Sequence, residues 1–573
     1  MRVINVLFYM FLLGSLLHVQ SWKLSFLQTT SKALFHRRGG AISSPEFGKD
    51  SPSISMMDRE PNIEYPMDHN SISKEYGMIF MDQFCPYHSV YLARRAREVY
   101  GISTISCLST YVAGYLKKEA THDNDLLESV EQSMVPHLDK IDYWRNKLPS
   151  GYKIVNIYCE SDSGLDECEL LTEALNPMYH NGYNPARRDK YQMNEAVKNY
   201  GLRTVRQAMC HTKEEALAFA QNELGVVSQS DLEVIDDAKE TDEKEQSIIK
   251  KKGQNYDGKQ SNESCINNGK LGRATNIPQT HRSSQAYCVV KPKRGVASDD
   301  VFLCHSLEEV EHAFDKIYNT FVFGSINGES NDAVLVQEFA AGTEYALDIV
   351  SKNGEHKVAA LWRYDKRPAN GSSFVYFATE IVDATSDVGK QVCEYAMKAL
   401  DALGVRHGLT HTEIIVNEEH GPRLVEVNCR QHNTNFAPLT MASIGYNAFD
   451  MLLAAYLGNL SNLPPETAHM RMEWEGIPSL PMTHAFSAVV HLVSFVEGTL
   501  IGIREDILDE IQNLPSVQYV EIYDHFVVGR RIEKTYDIRS DCGWVHLIND
   551  NEDQFQRDYN RIVDLMPDIF QVE

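Results

Sequence analysis

The sequence lacks the signatures of several large classes of protein. Its 11 cysteines are scattered with no CxxC or CxxxC pair, so neither a disulfide framework nor a zinc cluster is indicated. Neither GxxxxGK[ST] nor GxGxxG is present, which sets aside a Walker loop and a dinucleotide fingerprint. No Ser-His-Asp or Cys-His signature of a protein nucleophile stands out, and no internal repeat is apparent. Positive charge is in deficit: 55 Lys and Arg against 80 Asp and Glu leave a formal net charge of -25. A chain with that overall field repels phosphate backbones and anionic lipid, so nucleic acid is not an expected partner. An anionic nucleotide remains a possible ligand, but only at a local cluster of Lys, Arg and metal ions. The 573 residues, 43% hydrophobic and 24% charged, suit a soluble chain of two to four domains.

The longest apolar stretch, Val3 to Leu17, falls short of the ~20 residues a spanning helix needs. With Ser21 as a small-residue cleavage site, it has the shape of a secretory signal over residues 1–21, and no stable membrane insertion is expected after processing. Trp22 to Gly40 carries Lys23, Lys32, Arg37 and Arg38, no acidic residue and many Ser and Thr. Together these segments resemble the bipartite plastid presequences of algae with secondary plastids, with plain secretion as the alternative. Reduced thiols fit a plastid stroma better than an extracellular space. Residues 22–71 are then a transit-like segment and linker.

Tyr76 to Asp82 has the short apolar form of a buried strand, Ser89 to Tyr100 a helical pattern, and Ile102 to Ser106 a second strand. With Lys153–Tyr158 as a strand and Leu165 to Leu175 as a helix, residues 72–185 predict a parallel α/β domain. Residues 226–283 hold ten acidic and nine basic residues among Ser, Asn, Gln and Gly, the composition of a disordered insertion. Past residue 458, Ser487–Val493 and Tyr519–Tyr523 read as strands and Ile503 to Leu514 as a helix. A small α+β segment over 458–573 is expected to close over the site and exclude water.

Three segments carry chemistry. In Tyr287 to Val301 an apolar strand runs into Lys291-Pro292 and then a small-residue loop containing Ser298, suited to cradling phosphate with backbone amides and a lysine. In Val334 to Val350 two strands flank a turn at Ala341-Gly342, and the polar residues Gln337, Glu338 and Glu344 interrupt otherwise apolar runs. A hairpin with solvent-facing carboxylates is the plain reading. Such side chains also suit an adenine amino group or ribose hydroxyls. In Gly408 to Arg430, Glu426, Asn428 and Arg430 are spaced by two and so share a strand face, with Glu413 joining them if the hairpin pairs simply. Two carboxylates and an amide oxygen form a hard-oxygen set for Mg²⁺, and Arg430 is placed to hold a transferring phosphoryl group.

In this order and spacing the segments resemble the ATP-grasp superfamily, over roughly residues 72–570, and more narrowly its carboxylate-amine ligases of the L-amino-acid ligase and biotin-carboxylase-like types. Arg188 to Met193 is similar to the Lys-and-Met helix that opens the family's central domain, and Trp362 to Lys366 also matches. The resemblance implies an ATP-grasp fold: an N-terminal parallel α/β domain (72–185), a two-lobed nucleotide-binding domain (186–457) and the small C-terminal sheet segment. It implies ATP contacts from Lys291, Lys190 and Ser298, an adenine-binding hinge at Gln337, Glu338 and Phe339, and Glu344 on the ribose. Glu413, Glu426 and Asn428 would hold Mg²⁺ (or Mn²⁺), and Arg430 would stabilise an acyl phosphate. Arg363, Lys366 and His432 are candidate substrate contacts, His432 being equally readable as a loop histidine. The implied activity joins a small-molecule carboxylate to an amine with release of ADP and phosphate. A carboxylase-type or purine-pathway activity and a silent ATP-binding regulator are the alternatives, and a homodimer is possible. The phosphate loop departs from the pattern in having only Gly295, and the turn after Arg430 reads Gln431 to Phe436 where many ligases are Gly-rich.

Overall fold

In a computed structural model the structure describes residues 75–119, 151–232, 286–295, 300–322, 324, 325 and 328–573. The expected presequence and linker, Ser298 and most of the 226–283 insertion lie outside the described residues. Among the described residues no helix is long and apolar enough to cross a membrane.

The N-terminal unit runs β1 (Tyr76–Met81), α1 (Ser89–Tyr100), β2 (Ser103–Cys107), α2 (Thr110–Glu119), β3 (Lys153–Cys159) and α3 (Leu165–Leu175). All six residues of β1 are buried, as a strand covered on both faces requires. β2 and β3 flank it in parallel, in the order β2-β1-β3. Gly101 ends α1 in the left-handed region at φ 64, its N–H returning to the Arg97 carbonyl, a common helix stop.

A second unit holds α4 (Lys190–Asn199), β4 (Gln207–Cys210), α5 (Lys213–Asn222), β5 (Cys288–Pro292), β6 (Phe302–Cys304), α6 (Leu307–Ile317) and β7 (Val334–Glu338). Its four strands form an antiparallel sheet in the order β4-β7-β5-β6. Val310, Ala313, Phe314 and Ile317 line one face of α6 at helical spacing and pack on Val290, Val334 and Val336 of the sheet. A reciprocal cap between Thr212 and Glu215 starts α5.

The third unit contains β8 (Thr343–Lys352), β9 (Glu355–Ala369), β10 (Ser372–Val382), α7 (Asp387–Ala402), β11 (Gly408–Asn417), β12 (Gly421–Asn428), α8 (Ala437–Ser443) and α9 (Ala448–Leu457). It continues through β13 (Phe486–His491), β14 (Gly498–Ile503), α10 (Glu505–Gln512), β15 (Val517–Ile522), β16 (Arg531–Ile532), β17 (Gly543–Asn549), α11 (Glu552–Leu565) and β18 (Phe570–Val572). An eight-stranded sheet, β12-β11-β8-β9-β10-β13-β17-β15, spans it. The segment after residue 458 adds three strands to this sheet and builds a small one of its own, β16-β14-β18. α7 packs on one face of the large sheet, where Leu347, Leu361 and Ile414 are buried. On the other face lie Ala346, Trp362, Tyr364 and Phe436.

The two strands around Ala341-Gly342 do not make a hairpin: β7 belongs to the four-stranded sheet and β8 to the eight-stranded one. Gly342, at φ 152, lies so close to β11 that a Cβ there would stand 2.3 Å from the Val416 carbonyl oxygen. The segment is the joint between two sheets, and only glycine fits that approach.

Candidate functional site

Antiparallel pairing of β11 and β12 sets Glu413 directly across from Glu426, and His411 across from Asn428. Like charges so placed repel, so the pair requires a cation. Lys190 supplies one, its Nζ 2.7 Å from Glu426 Oε2, and it also donates to the Gly295 carbonyl at 3.1 Å. Its position follows from the helix start: Asp189 caps α4 by accepting from the Tyr191 and Gln192 N–H groups. Asn428 donates its Nδ2–H to Glu426 Oε1 at 2.8 Å, which leaves the amide oxygen as its remaining donor atom to a cation. Burial works against ionising Glu426, yet the Lys190 ammonium and the Asn428 amide hold its carboxyl well below the usual range. Burial also opposes the charge on Glu413, and its hydrogen bond with His411, Nε2 to Oε1 3.1 Å, keeps it ionised more readily than usual. The Tyr364 hydroxyl donates to the same oxygen at 3.2 Å.

Lys291, near the end of β5, is buried, and burial together with repulsion from Lys190 pushes its ammonium down to about 8 against the pull of Glu426, Glu413 and Glu344. Glu344 on β8 pairs with Lys366 on β9 at 2.7 Å. Burial pushes the Glu344 carboxyl up, with Lys366 opposing. The Lys366 ammonium lies 4.8 Å from the Tyr364 ring centre and 4.4 Å from that of Tyr376. The structure therefore brings Lys190, Lys291, Glu344, Lys366, Glu413, Glu426 and Asn428 into one constellation between the two sheets.

Other expected positions fall differently. Arg363 is a correction: it neighbours Tyr364 on β9, so strand alternation sends its side chain to the opposite face, where it bonds Glu380 of β10. It does not join Lys366. Arg430 lies past the end of β12, and its orientation is set by the N-terminal unit: Nε donates to Asp162 Oδ1 at 2.7 Å, and Nη1 to the Gln431 carbonyl at 2.7 Å. Arg188 lies 3.4 Å from the same Asp162 oxygen. Burial opposes the Asp162 charge, and the two arginines outweigh it. Gln337 is buried and donates to Gln207 Oε1 across the β4–β7 pair at 2.8 Å. Glu338 is not merely solvent-facing, since its carboxylate is held by Arg206 at 3.2 Å and Arg423 at 3.1 Å. Phe339 meets Tyr287 edge-on, with centroids 6.1 Å apart.

His432 is stacked between His411 and Phe436, at centroid distances of 4.0 and 4.1 Å, with Nε2 3.2 Å from the Tyr364 hydroxyl. Burial and the neighbouring His411 push its imidazole down to about 4. Burial acts the same way on His411, but Asp348 and Glu413 raise it to about 9. Asp162, Asp348, Tyr364 and His411 were not singled out from the sequence. Period-two arithmetic from Glu344 and Glu413 reaches Asp348 and His411. No local signal points to Asp162.

Residues 284–436 match the ATP-grasp domain family. The chain is 26% identical over 284 residues to the dapdiamide A synthase of Enterobacter agglomerans, covering 49% of this chain and 62% of that protein. It is 24% identical over 198 residues to the phosphoribosylamine–glycine ligase of Salmonella typhimurium, covering 32% of this chain and 44% of that protein. The matches thus span less than two thirds of these relatives. In fold the chain is similar to the L-amino acid ligase of Bacillus licheniformis, with a TM-score of 0.54, 14% identity, and 87% of this chain and 100% of that one covered.

Proposed function

We propose, from the premise that the chain carries an ATP-grasp domain, that it is an ATP- and Mg²⁺-dependent ligase joining a small carboxylate to an amine. The observation that carries this reading is the meeting of Lys291 and Lys190 with Glu413, Glu426 and Asn428 between two sheets. Phosphate-binding cations and a metal-binding oxygen set then face the same space. The donor set fits: two carboxylates and an amide oxygen are the hard ligands Mg²⁺ takes alongside substrate phosphates. When bound, the ion supplies neutralisation of charge developing on the phosphates. Ser298 is a further phosphate contact in this reading, Gln337 to Phe339 border the adenine, and Glu344 takes the ribose.

A substrate carboxylate oxygen attacks the γ-phosphorus and ADP leaves. The amine nitrogen then attacks the acyl carbon, and phosphate departs with loss of a proton from the amine. No protein nucleophile is needed, so the protein's contribution is positioning and charge. Lys291 and Lys190 hold the phosphate oxygens in line, and Arg430, anchored by Asp162, meets the charge on the acyl phosphate. Lys366 pairs with Glu344 and opposes the burial that pushes its carboxyl up.

The test is release of ADP and phosphate with Mg²⁺-ATP across amino acids and amines offered singly and in pairs. Pair-dependent release with a condensed product by mass supports the reading. ATP turnover that requires bicarbonate or phosphoribosylamine instead moves the chain to the carboxylase or purine-pathway alternative, which the likeness to phosphoribosylamine–glycine ligase keeps in view. We further propose plastid import directed by residues 1–71, on their apolar and then basic, Ser-rich composition. A fluorescent fusion of those residues that is secreted or stays cytosolic overturns it.

A further inference from the structure

The geometry points to a second metal site, formed by Asp348, His411 and His432 and suited to Zn²⁺ or a similar divalent transition ion. The three side chains are buried and offer ligand atoms within 4.8 Å of one another. Asp348 Oδ1, His411 Nδ1 and His432 Nδ1 each lack a hydrogen-bond partner, and each Nδ1 lies 3.8 Å from that Oδ1. Three buried polar atoms facing one another unpaired is a costly arrangement that a shared cation resolves.

The remaining atom of each side chain is committed elsewhere. Asp348 Oδ2 accepts the Trp362 indole N–H at 2.8 Å. His411 Nε2 faces Glu413 Oε1 at 3.1 Å and the Tyr364 hydroxyl at 3.3 Å. His432 Nε2 faces that hydroxyl at 3.2 Å. In the metal-free protein Asp348 and Glu413 favour a proton on each His411 nitrogen, so an ion takes the place of the Nδ1 proton opposite Asp348 while the Nε2 proton stays donated to Glu413. An imidazole whose outer N–H is held by a carboxylate while its inner nitrogen stays open is the usual form of a metal-bound histidine. Two imidazoles and one carboxylate select a borderline ion such as Zn²⁺ rather than Mg²⁺. Bonds of about 2.0–2.2 Å let one ion span ligand atoms up to about 4 Å apart. The rings stack with planes 26° apart, so seating the ion turns one of them. Asp348 and His432 border a cavity shared with His88, Gln431 and Thr434. The ion would reach Glu413 through His411, coupling it to the carboxylate set without being part of it.

Chelator-treated full-length protein titrated with Co²⁺ tests the assignment. The expected result is one equivalent giving the intense visible band of a low-coordinate N/O site, displaced by Zn²⁺. Affinity falls in His432→Ala and Asp348→Asn by more than the roughly 10–100-fold that loss of an outer hydrogen-bond partner costs, and is kept in Glu426→Gln. If His432→Ala does not fold by circular dichroism, His432→Gln replaces it. No stoichiometric Co²⁺ or Zn²⁺ binding, binding indifferent to His432 and Asp348, or binding lost in Glu426→Gln each overturns the proposal. Because the readout is metal and not turnover, failure of the ligase reading leaves this result interpretable.

Discussion

Replacing Glu426 by alanine separates a structural carboxylate from a metal-binding one. Its partner Lys190 sits 2.7 Å away, and the two side chains are 19% and 13% exposed. Breaking a fully buried pair costs about 3–5 kcal/mol, an exposed one no more than about 1 kcal/mol, and this pair lies between. Removal also relieves repulsion with Glu413 directly opposite, returning up to about 1 kcal/mol. The net loss of stability is then about 1–2 kcal/mol, a fall of a few degrees in Tm. Turnover should fall much further, by about 10³-fold or roughly 4 kcal/mol of barrier, because one of the two carboxylates is gone and Lys190 loses its anchor. The assay is coupled ADP release at saturating Mg²⁺, with a melting curve and circular dichroism on the same sample. A folded variant keeping more than about a tenth of wild-type kcat, a barrier change under about 1.4 kcal/mol, refutes the metal assignment.

Asp82 is buried, and loss of hydration pushes its carboxyl up to about 6, against hydrogen bonds from Ser161 and the Ser109 N–H. Its folded-state value lies above the unfolded one, so its stabilisation is full below about pH 4 and is lost as pH rises through 6. The stability of Asp82→Asn relative to wild type should therefore improve by about 3 kcal/mol between pH 4 and 8, and a flat difference in urea midpoints contradicts this. Arg363→Gln should leave turnover within about threefold while lowering Tm, since buried Glu380 loses its partner at a cost of roughly 1–3 kcal/mol. A large drop in kcat without a change in Tm returns Arg363 to the substrate site. Gly342→Ala forces a Cβ against the Val416 carbonyl and should cost about 1–3 kcal/mol, read as a lowered urea midpoint. An unchanged midpoint means the joint between the sheets yields freely.

How much of the fold the sequence disclosed depended on how local the cause was. β1 and α3 were readable because an unbroken apolar run and a helix-length amphipathic pattern are written within the element itself. The division of β7 from β8 was not, because both read as strands flanking a glycine turn. What separates them is Gly342 meeting Val416, a contact made only once β11 has paired with β8. The strands after residue 458 were likewise visible as strands, but their joining the large sheet depends on the edge offered by β10, which pairs with β13.

The same rule governs the site. Period two placed Glu426 and Asn428 on one face, and hairpin pairing brought Glu413 opposite. Applied one residue further along β9, the same arithmetic forbids Arg363 and Lys366 from sharing a face. Arg430 shows where the pattern runs out. It continues the spacing of Glu426 and Asn428, yet the strand has ended at Asn428, so sheet geometry no longer aims it. Asp162, just past β3 in the N-terminal unit, does so instead through a largely buried ion pair at 2.7 Å. A guanidinium aimed by a residue of another unit is correctly oriented only while the two units stay docked. The N-terminal α/β unit therefore orients Arg430, the residue proposed to meet the acyl phosphate, through one carboxylate that no motif in the central segment announces.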